Sequence, residues 1–267
     1  MKGKVVVITG ASSGIGKALA EKFAAEGSNL VISARQADKL NELKSSLEKF
    51  KVKVHSVVCD VSKEEQCKHL ISEAVQQFST IDVLINNAGI SMRAVFNDLD
   101  LDVIRKVMDV NFWGAIYCTK FAMPYLLKSK GSVVGISSIA GKKGLPGRTG
   151  YSSSKFALEG FLETLRTENL KKGLHVLVAC PGFTSSNIRQ TALGSDGKAQ
   201  GESPRDESSM MSSEEVAARI YKAVVQRKRD LVLTTNGKLT VWLNKFFPGM
   251  MDGVVFKHMS KEPDSPF

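Results

Sequence analysis

The stretch Val5-Val6-Val7-Ile8-Thr9-Gly10-Ala11-Ser12-Ser13-Gly14-Ile15-Gly16 decides how the chain is read. Its first four residues are β-branched with no polar interruption, the pattern of a strand buried on both faces. From Gly14 to about Glu26 the apolar residues return at helical spacing, and Gly27 stands where it can end that helix. A strand, a glycine-rich turn and a helix in this order open a βαβ unit. Glycines in such a turn permit a tight bend and let backbone N–H groups at the helix N-terminus approach a pyrophosphate. The spacing here is G-x-x-x-G-x-G, running from Gly10 through Gly14 to Gly16.

Beyond this opening, short β-branched runs are expected as strands at 29–34, 52–58, 82–85, 132–137, 175–180 and 230–234, with helices between them. Apolar strands separated by crossover helices predict one α/β domain over residues 1–267, a doubly wound, mostly parallel seven-stranded sheet with helices on both faces. One long helix is expected over 101–128, kinked near Pro124. The helix after Gly150 should bury Leu158, Phe161, Leu162 and Leu165 and stop at Gly173. Residues 184–212 break the rhythm with Ser, Gly, Asp and Lys, and only 188–193 carries a helical pattern. This loop leaves the carboxyl end of a strand, where α/β sheets bind ligands, so it reads as a mobile substrate lid or else a plain flexible insertion. Ser212 and Glu215 form a capping box for the next helix. The final stretch, 237–267, is rich in apolar residues from Trp242 to Phe256 and is interrupted by Pro248-Gly249. It is expected to pack against the domain or a twin subunit, or to touch a membrane surface or an apolar substrate.

Composition narrows the function classes. A formal charge of +10 admits anionic partners, but Lys and Arg are spread along the chain, and Arg227-Lys228-Arg229 is the one compact run, so nucleic acid binding is not expected. Cys59, Cys67, Cys118 and Cys180 lie far apart without a C-x-x-C pair, and His55, His69, His175 and His258 show no ligand spacing. No metal and no disulfide framework are expected, and a reducing, cytoplasmic compartment suits the free thiols. A strand beginning by Lys4 leaves no room for a signal peptide, and no apolar run reaches the roughly 18 residues of a membrane span.

Chemistry concentrates in Tyr151-Ser152-Ser153-Ser154-Lys155, which places a phenol and an ammonium on one helical face. A cation beside a phenol favours the phenolate and lowers its pKa, making it a usable acid and base near neutrality. With the glycine loop, Asn86-Asn87-Ala88-Gly89 after the fourth strand, Asn111 in a helix, Ser138 after the fifth strand and Pro181-Gly182 after the sixth, the chain resembles the short-chain dehydrogenases/reductases of the single-domain, Rossmann-type fold. The resemblance covers roughly residues 3–235, and the C-terminal part is similar to the 11-beta-hydroxysteroid dehydrogenase-like and dehydrogenase/reductase member 7-like reductases.

That resemblance implies hydride exchange between a nicotinamide and a carbonyl or alcohol. Tyr151 would be the general acid or base, Lys155 would lower its pKa and hold the nicotinamide ribose, and Ser138 would polarise the substrate oxygen. Asn111 would position a water behind Lys155, or serve only as a polar core residue that kinks its helix. Cofactor contacts are implied for Gly10, Ser12, Ser13, Gly14, Ile15, Gly16, Asn87, Ala88, Gly89, Pro181, Gly182 and Thr184, and Asp60-Val61 would hold the adenine, although Asp60 could instead cap the next helix. The second strand ends in Ser33-Ala34-Arg35 with no acid for a ribose 2′-hydroxyl, and Arg35 suits a 2′-phosphate, so NADP(H) is favoured over NAD(H). An apolar ketone or aldehyde, a homodimer or homotetramer, and peripheral membrane contact by the C-terminal tail complete the expectations. A catalytically silent nucleotide-sensing regulator on the same fold is the alternative; such proteins commonly lose the tyrosine or the lysine, and both are present here.

Overall fold

The computed structural model describes residues 1–203, 210–263, 265 and 267. Its sheet contains β1 (Val5–Thr9), β2 (Asn29–Ala34), β3 (Val54–Val58), β4 (Val83–Asn86), β5 (Ser132–Ile136), β6 (His175–Cys180) and β7 (Asp230–Val232) in the order β3-β2-β1-β4-β5-β6-β7. Every pairing is parallel, with Val6 opposite both Leu30 and Val83, and Val134 opposite Leu177. The strand order reverses between β1 and β4, the switch point where an α/β sheet opens a crevice beyond its carboxyl ends.

Two apolar layers clothe the sheet. On one side Leu19 and Phe23 of α1 (Gly14–Ala25) pack with Leu40 and Leu47 of α2 (Ala37–Leu47) and Ile220 of α7 (Ser213–Val225). On the other, Leu70 of α3 (Glu64–Phe78), Leu126 of α5 (Gly114–Lys128) and Leu162 of α6 (Thr149–Glu168) cover Val7, Leu84 and Val133. Phe161 is only partly buried, unlike Leu158 and Leu162, and packs against that layer.

The expected helix over 101–128 is two helices. α4 (Leu101–Met108) passes into a π-turn at Asp109–Trp113, and α5 then runs through Pro124 to Lys128. The irregularity therefore sits at Asn111 and not at the proline. Its cause is the Asn111 carboxamide, which bonds to a neighbouring loop as described below.

Part of the expected lid, 204–209, lies outside the described residues. The remainder is stitched to the body. Leu193 N donates to Ser91 O at 2.9 Å, Arg93 N donates to Leu193 O at 2.8 Å, and Asp100 N donates to Ser195 O at 3.0 Å. Residues 188–191 form turns and no helix. The C-terminal extension folds into α8 (Thr235–Phe246) and α9 (Pro248–Met259), parted by Pro248, whose ring suits the first turn of a helix but cannot continue the preceding one.

Glycine spacing in the first turn is a packing requirement. Gly10 has φ +64° and Gly14 φ +51°, and a Cβ at Gly16 would stand 2.2 Å from Gly10 O and 2.5 Å from Asn87 Nδ2. Gly160 is the contrasting case, an exposed helical glycine with nothing within 4 Å of the place its Cβ would occupy. Gly16→Ala should therefore lower the urea midpoint, by about 1–3 kcal/mol of stability as for an overpacked site. Gly160→Ala should raise it by about 0.5–1 kcal/mol through helix propensity alone.

Candidate active site

Beyond the carboxyl ends of β1, β2, β4 and β5 lies a cleft of about 570 Å³. Its wall carries Gly10, Ser12–Gly16, Arg35, Asp60, Val61, Asn87–Gly89, Ser138, Tyr151, Lys155, Pro181, Gly182 and Thr184. Asn111 stands behind the wall, 1 % exposed. The sheet topology thus gathers residues spread over more than 170 positions of chain.

The first turn approaches β4 closely. Asn87 Nδ2 donates to Thr9 O at 2.9 Å and to Gly10 O at 3.0 Å, while the N–H groups of Asn87 and Ala88 both donate to Thr9 Oγ1 at 3.1 Å. These bonds pin the two loops on either side of the switch point. The Ser13 side chain makes no cap bond at the start of α1, so the helix N-terminus presents its backbone donors at the cleft. A dinucleotide fits this cradle, because the positive-φ glycines keep the loop backbone bare and any Cβ at Gly89 would crowd Asn111 Oδ1 at 3.2 Å and Lys155 Nζ at 3.4 Å.

Arg35 and Lys39, the latter in the first turn of α2, both line the end of the cleft near β2. Lys39 is a cation that the strand-end pattern could not place, since it reaches the site only through the turn of α2. Asp60 Oδ1 accepts from Ser62 N at 3.0 Å and Ser62 Oγ at 2.8 Å, forming a turn that precedes α3. Val61 is buried beneath Gly114, where a Cβ would meet Val61 Cγ2 at 2.8 Å.

Asn111 joins three parts of the site. Its Oδ1 accepts from Ile90 N at 2.8 Å, and its Nδ2 donates to Ile90 O at 2.9 Å and to Ser154 Oγ at 2.9 Å. Ser154 Oγ in turn donates to Tyr151 O at 2.7 Å, and Ser152 Oγ accepts from Leu145 N at 3.2 Å. The serines between Tyr151 and Lys155 thus fasten their helix to its surroundings. No sequence pattern marks them, because their partners are distant in the chain.

Ser137 and Ser138 divide as strand alternation requires. Ser137 Oγ donates to Glu159 Oε1 at 2.6 Å, whereas Ser138, whose Oγ accepts from Ala140 N at 3.2 Å, lines the cleft with Tyr151 and acts on its phenol. Burial pushes the Tyr151 phenol above its ordinary pKa, and Ser138 and the Arg148 charge oppose that rise. The lysine effect expected from the sequence is not what governs this phenol. Lys155 Nζ donates to Ile136 O at 2.8 Å and lies 5.7 Å from the centre of the Tyr151 ring, so the ammonium is turned toward the end of β5. Burial depresses Lys155 to about 8, while the nearby Cys180 and Glu159 act in the opposite direction.

The family described as short chain dehydrogenase matches residues 4–195. The chain belongs to the short-chain dehydrogenase/reductase family. It is 35% identical over 271 residues to a mouse protein named dehydrogenase/reductase SDR family member 7B, covering 99% of this chain and 84% of the mouse protein. It is 34% identical over 271 residues to sesame 11-beta-hydroxysteroid dehydrogenase A, covering 99% of this chain and 78% of that one. A short-chain dehydrogenase/reductase of Burkholderia phymatum, solved in complex with NAD, has the same fold with a TM-score of 0.83 at 25% identity, covering 93% of this chain and 95% of that one. No helix among the described residues is long and apolar enough to cross a membrane.

In the ligand-free protein, an NMR titration of the Lys155 ε-carbon should give a midpoint near 8, well below that of an exposed lysine. The sign follows from burial, which disfavours the charged form. Glu159→Gln should move the midpoint lower still, because the carboxylate favours the ammonium.

Proposed function

We propose that the protein is an NADP(H)-dependent oxidoreductase that interconverts a ketone or aldehyde with its alcohol, taking an apolar substrate. The observation that carries this reading is that Ser138, Tyr151 and Lys155 line one cleft with the glycine turn. When bound, a nicotinamide dinucleotide would supply or accept the hydride. The remaining work falls to the chain. Ser138 would hold the substrate oxygen by a fixed donor where negative charge develops. The high phenol pKa keeps Tyr151 protonated at neutral pH, the form needed to give a proton to that oxygen during reduction. Lys155 would take the nicotinamide ribose, and Asn111 would hold the loop carrying Ile90 in place, with a water behind Lys155 as the proton path.

Arg35 and Lys39 together favour a 2′-phosphate, so NADP(H) is preferred to NAD(H). Ile90, Leu145, Phe183, Leu193 and Met259 line the substrate end and support an apolar carbonyl compound. The described part of the loop from Thr184 to Ala199 would close that end. All four cysteines are free and buried, which suits a reducing, cytoplasmic setting. Trp113 and Phe156 are exposed, at the start of α5 and on α6, and support assembly into a homodimer or homotetramer through those helices. Trp242, Phe246, Phe247 and Met250 are exposed near Lys238 and Lys245, a combination suited to peripheral contact of the C-terminal tail with an anionic lipid surface. The silent-regulator reading is the weaker one, because the cleft holds Ser138, Tyr151 and Lys155 together.

A screen of apolar ketones and aldehydes followed by NADPH absorbance tests the reaction. Tyr151→Phe should lower kcat by about 100-fold or more, the usual worth of a positioned general acid. A variant as fast as the parent would defeat the mechanism. Arg35→Ala should weaken NADPH binding about tenfold or more while leaving NADH binding little changed, by the loss of a charge-assisted contact.

A further inference from the structure

The cleft has a wall that the hydride-transfer reading leaves without a role. Met259, at the end of α9, and Glu262, just beyond it, line the cleft with Tyr151, Leu145 and Phe183. The Glu262 side chain is 5% exposed, which is unusual for a carboxylate in a tail. Its Oε2 stands 3.3 Å from Arg148 Nη2 and 3.5 Å from Arg93 Nε, and those side chains are 12% and 8% exposed. Arg93 Nη2 also donates to Pro263 O at 2.5 Å.

The two arginines come from different parts of the fold. Arg93 follows β4 on the segment whose N–H donates to Leu193 O of the substrate loop. Arg148 precedes α6 by one residue and Tyr151 by three. Beneath the clamp, Met251, Val255 and Met259 of α9 pack with Leu145 and Leu243, and Lys143 pairs with Asp252. A buried ion cluster of this kind adds little net stability, because desolvation offsets the attraction, but breaking it leaves an uncompensated buried charge. Its physical effect is to fix position.

We propose that Glu262 is a positioning residue that locks residues 259–263 in place as the substrate-side wall of the cleft, and that Met259 on this wall is a specificity-determining contact limiting the bulk of the carbonyl compound admitted. The proposal rests on the reading of the cleft as a carbonyl reductase site. An unbranched, buried thioether at a cleft wall fills space adaptably, and shortening it opens room for a larger apolar ring. The clamp acts through geometry: it ties the tail to the segment holding the substrate loop and to the start of the helix carrying Tyr151.

The test begins with limited trypsin digestion of the full chain, which needs no substrate. The parent should resist cleavage after Lys257 and Lys261, and E262Q should be cut there at least tenfold faster. R93Q, which leaves Arg148 and Glu262 as a balanced pair, should show the same change to a smaller degree and serves if E262Q does not fold. Arg219→Ala, at an exposed pair with Glu215, should change nothing. Steady-state kinetics with cyclic ketones of one, two and three fused rings follow. E262Q should raise KM for the preferred ketone about tenfold with the NADPH Kd unchanged. M259A should shift kcat/KM toward the next larger ring system by about tenfold, the scale of a few methylene groups in an apolar pocket. Equal trypsin resistance in parent, R93Q and E262Q, or an unchanged ring-size preference in M259A, overturns the proposal. A parent that turns over no ketone defeats the proposed reaction instead, and the digestion then still decides whether the clamp holds the tail.

Discussion

The Asn111 carboxamide is the constraint on which the site depends. A regular helix from Leu101 to Lys128 would carry this side chain past the loop after β4, and the π-turn at Asp109–Trp113 accommodates it there instead. In that position it satisfies both backbone groups of Ile90 and the hydroxyl of Ser154. One side chain therefore couples the loop from β4, the joint between α4 and α5, and the helix bearing Tyr151 and Lys155. A π-turn forgoes regular helical hydrogen bonding, and such turns concentrate at functional sites because a fixed side-chain direction compensates.

Charge is handled sparingly around the tyrosine. Lys155 donates to a backbone carbonyl, and burial of the charge is what weakens its ammonium. The nearest buried carboxylate, Glu159, is engaged by Lys142 at 2.6 Å as well as by Ser137. Arg148, which with Arg189 acts on the phenol, is itself held by Glu262. The electrostatics of the tyrosine thus run through Ser138 and through arginines outside its own helical turn, and not through the lysine four residues away.

Local pattern and tertiary contact contributed differently to what could be read. The glycine turn, the strands and the Tyr151–Lys155 spacing were legible because each is set by short-range sterics: a positive φ, a period of two, a period of 3.6. The π-turn was not, because the 3.6-residue apolar period continues across it and only the distant Ile90 backbone gives Asn111 a reason to depart. Arg148 and Glu262 were missed for a related reason, since 114 residues separate the partners and a lone Glu in a polar tail resembles any solvated charge. Lys39 reaches the cleft beside Arg35 through the turn of α2, which no strand-end motif describes.

By itself, then, the sequence determined the doubly wound sheet, the nucleotide turn and the family of the chain, because each follows from chain-local geometry repeated in a fixed order. Only the tertiary structure decided which serine bonds to Glu159, where the lysine ammonium points and which tail residues line the cleft. Those outcomes depend on burial and on partners from other elements. Neither exists until the sheet has brought its carboxyl ends together.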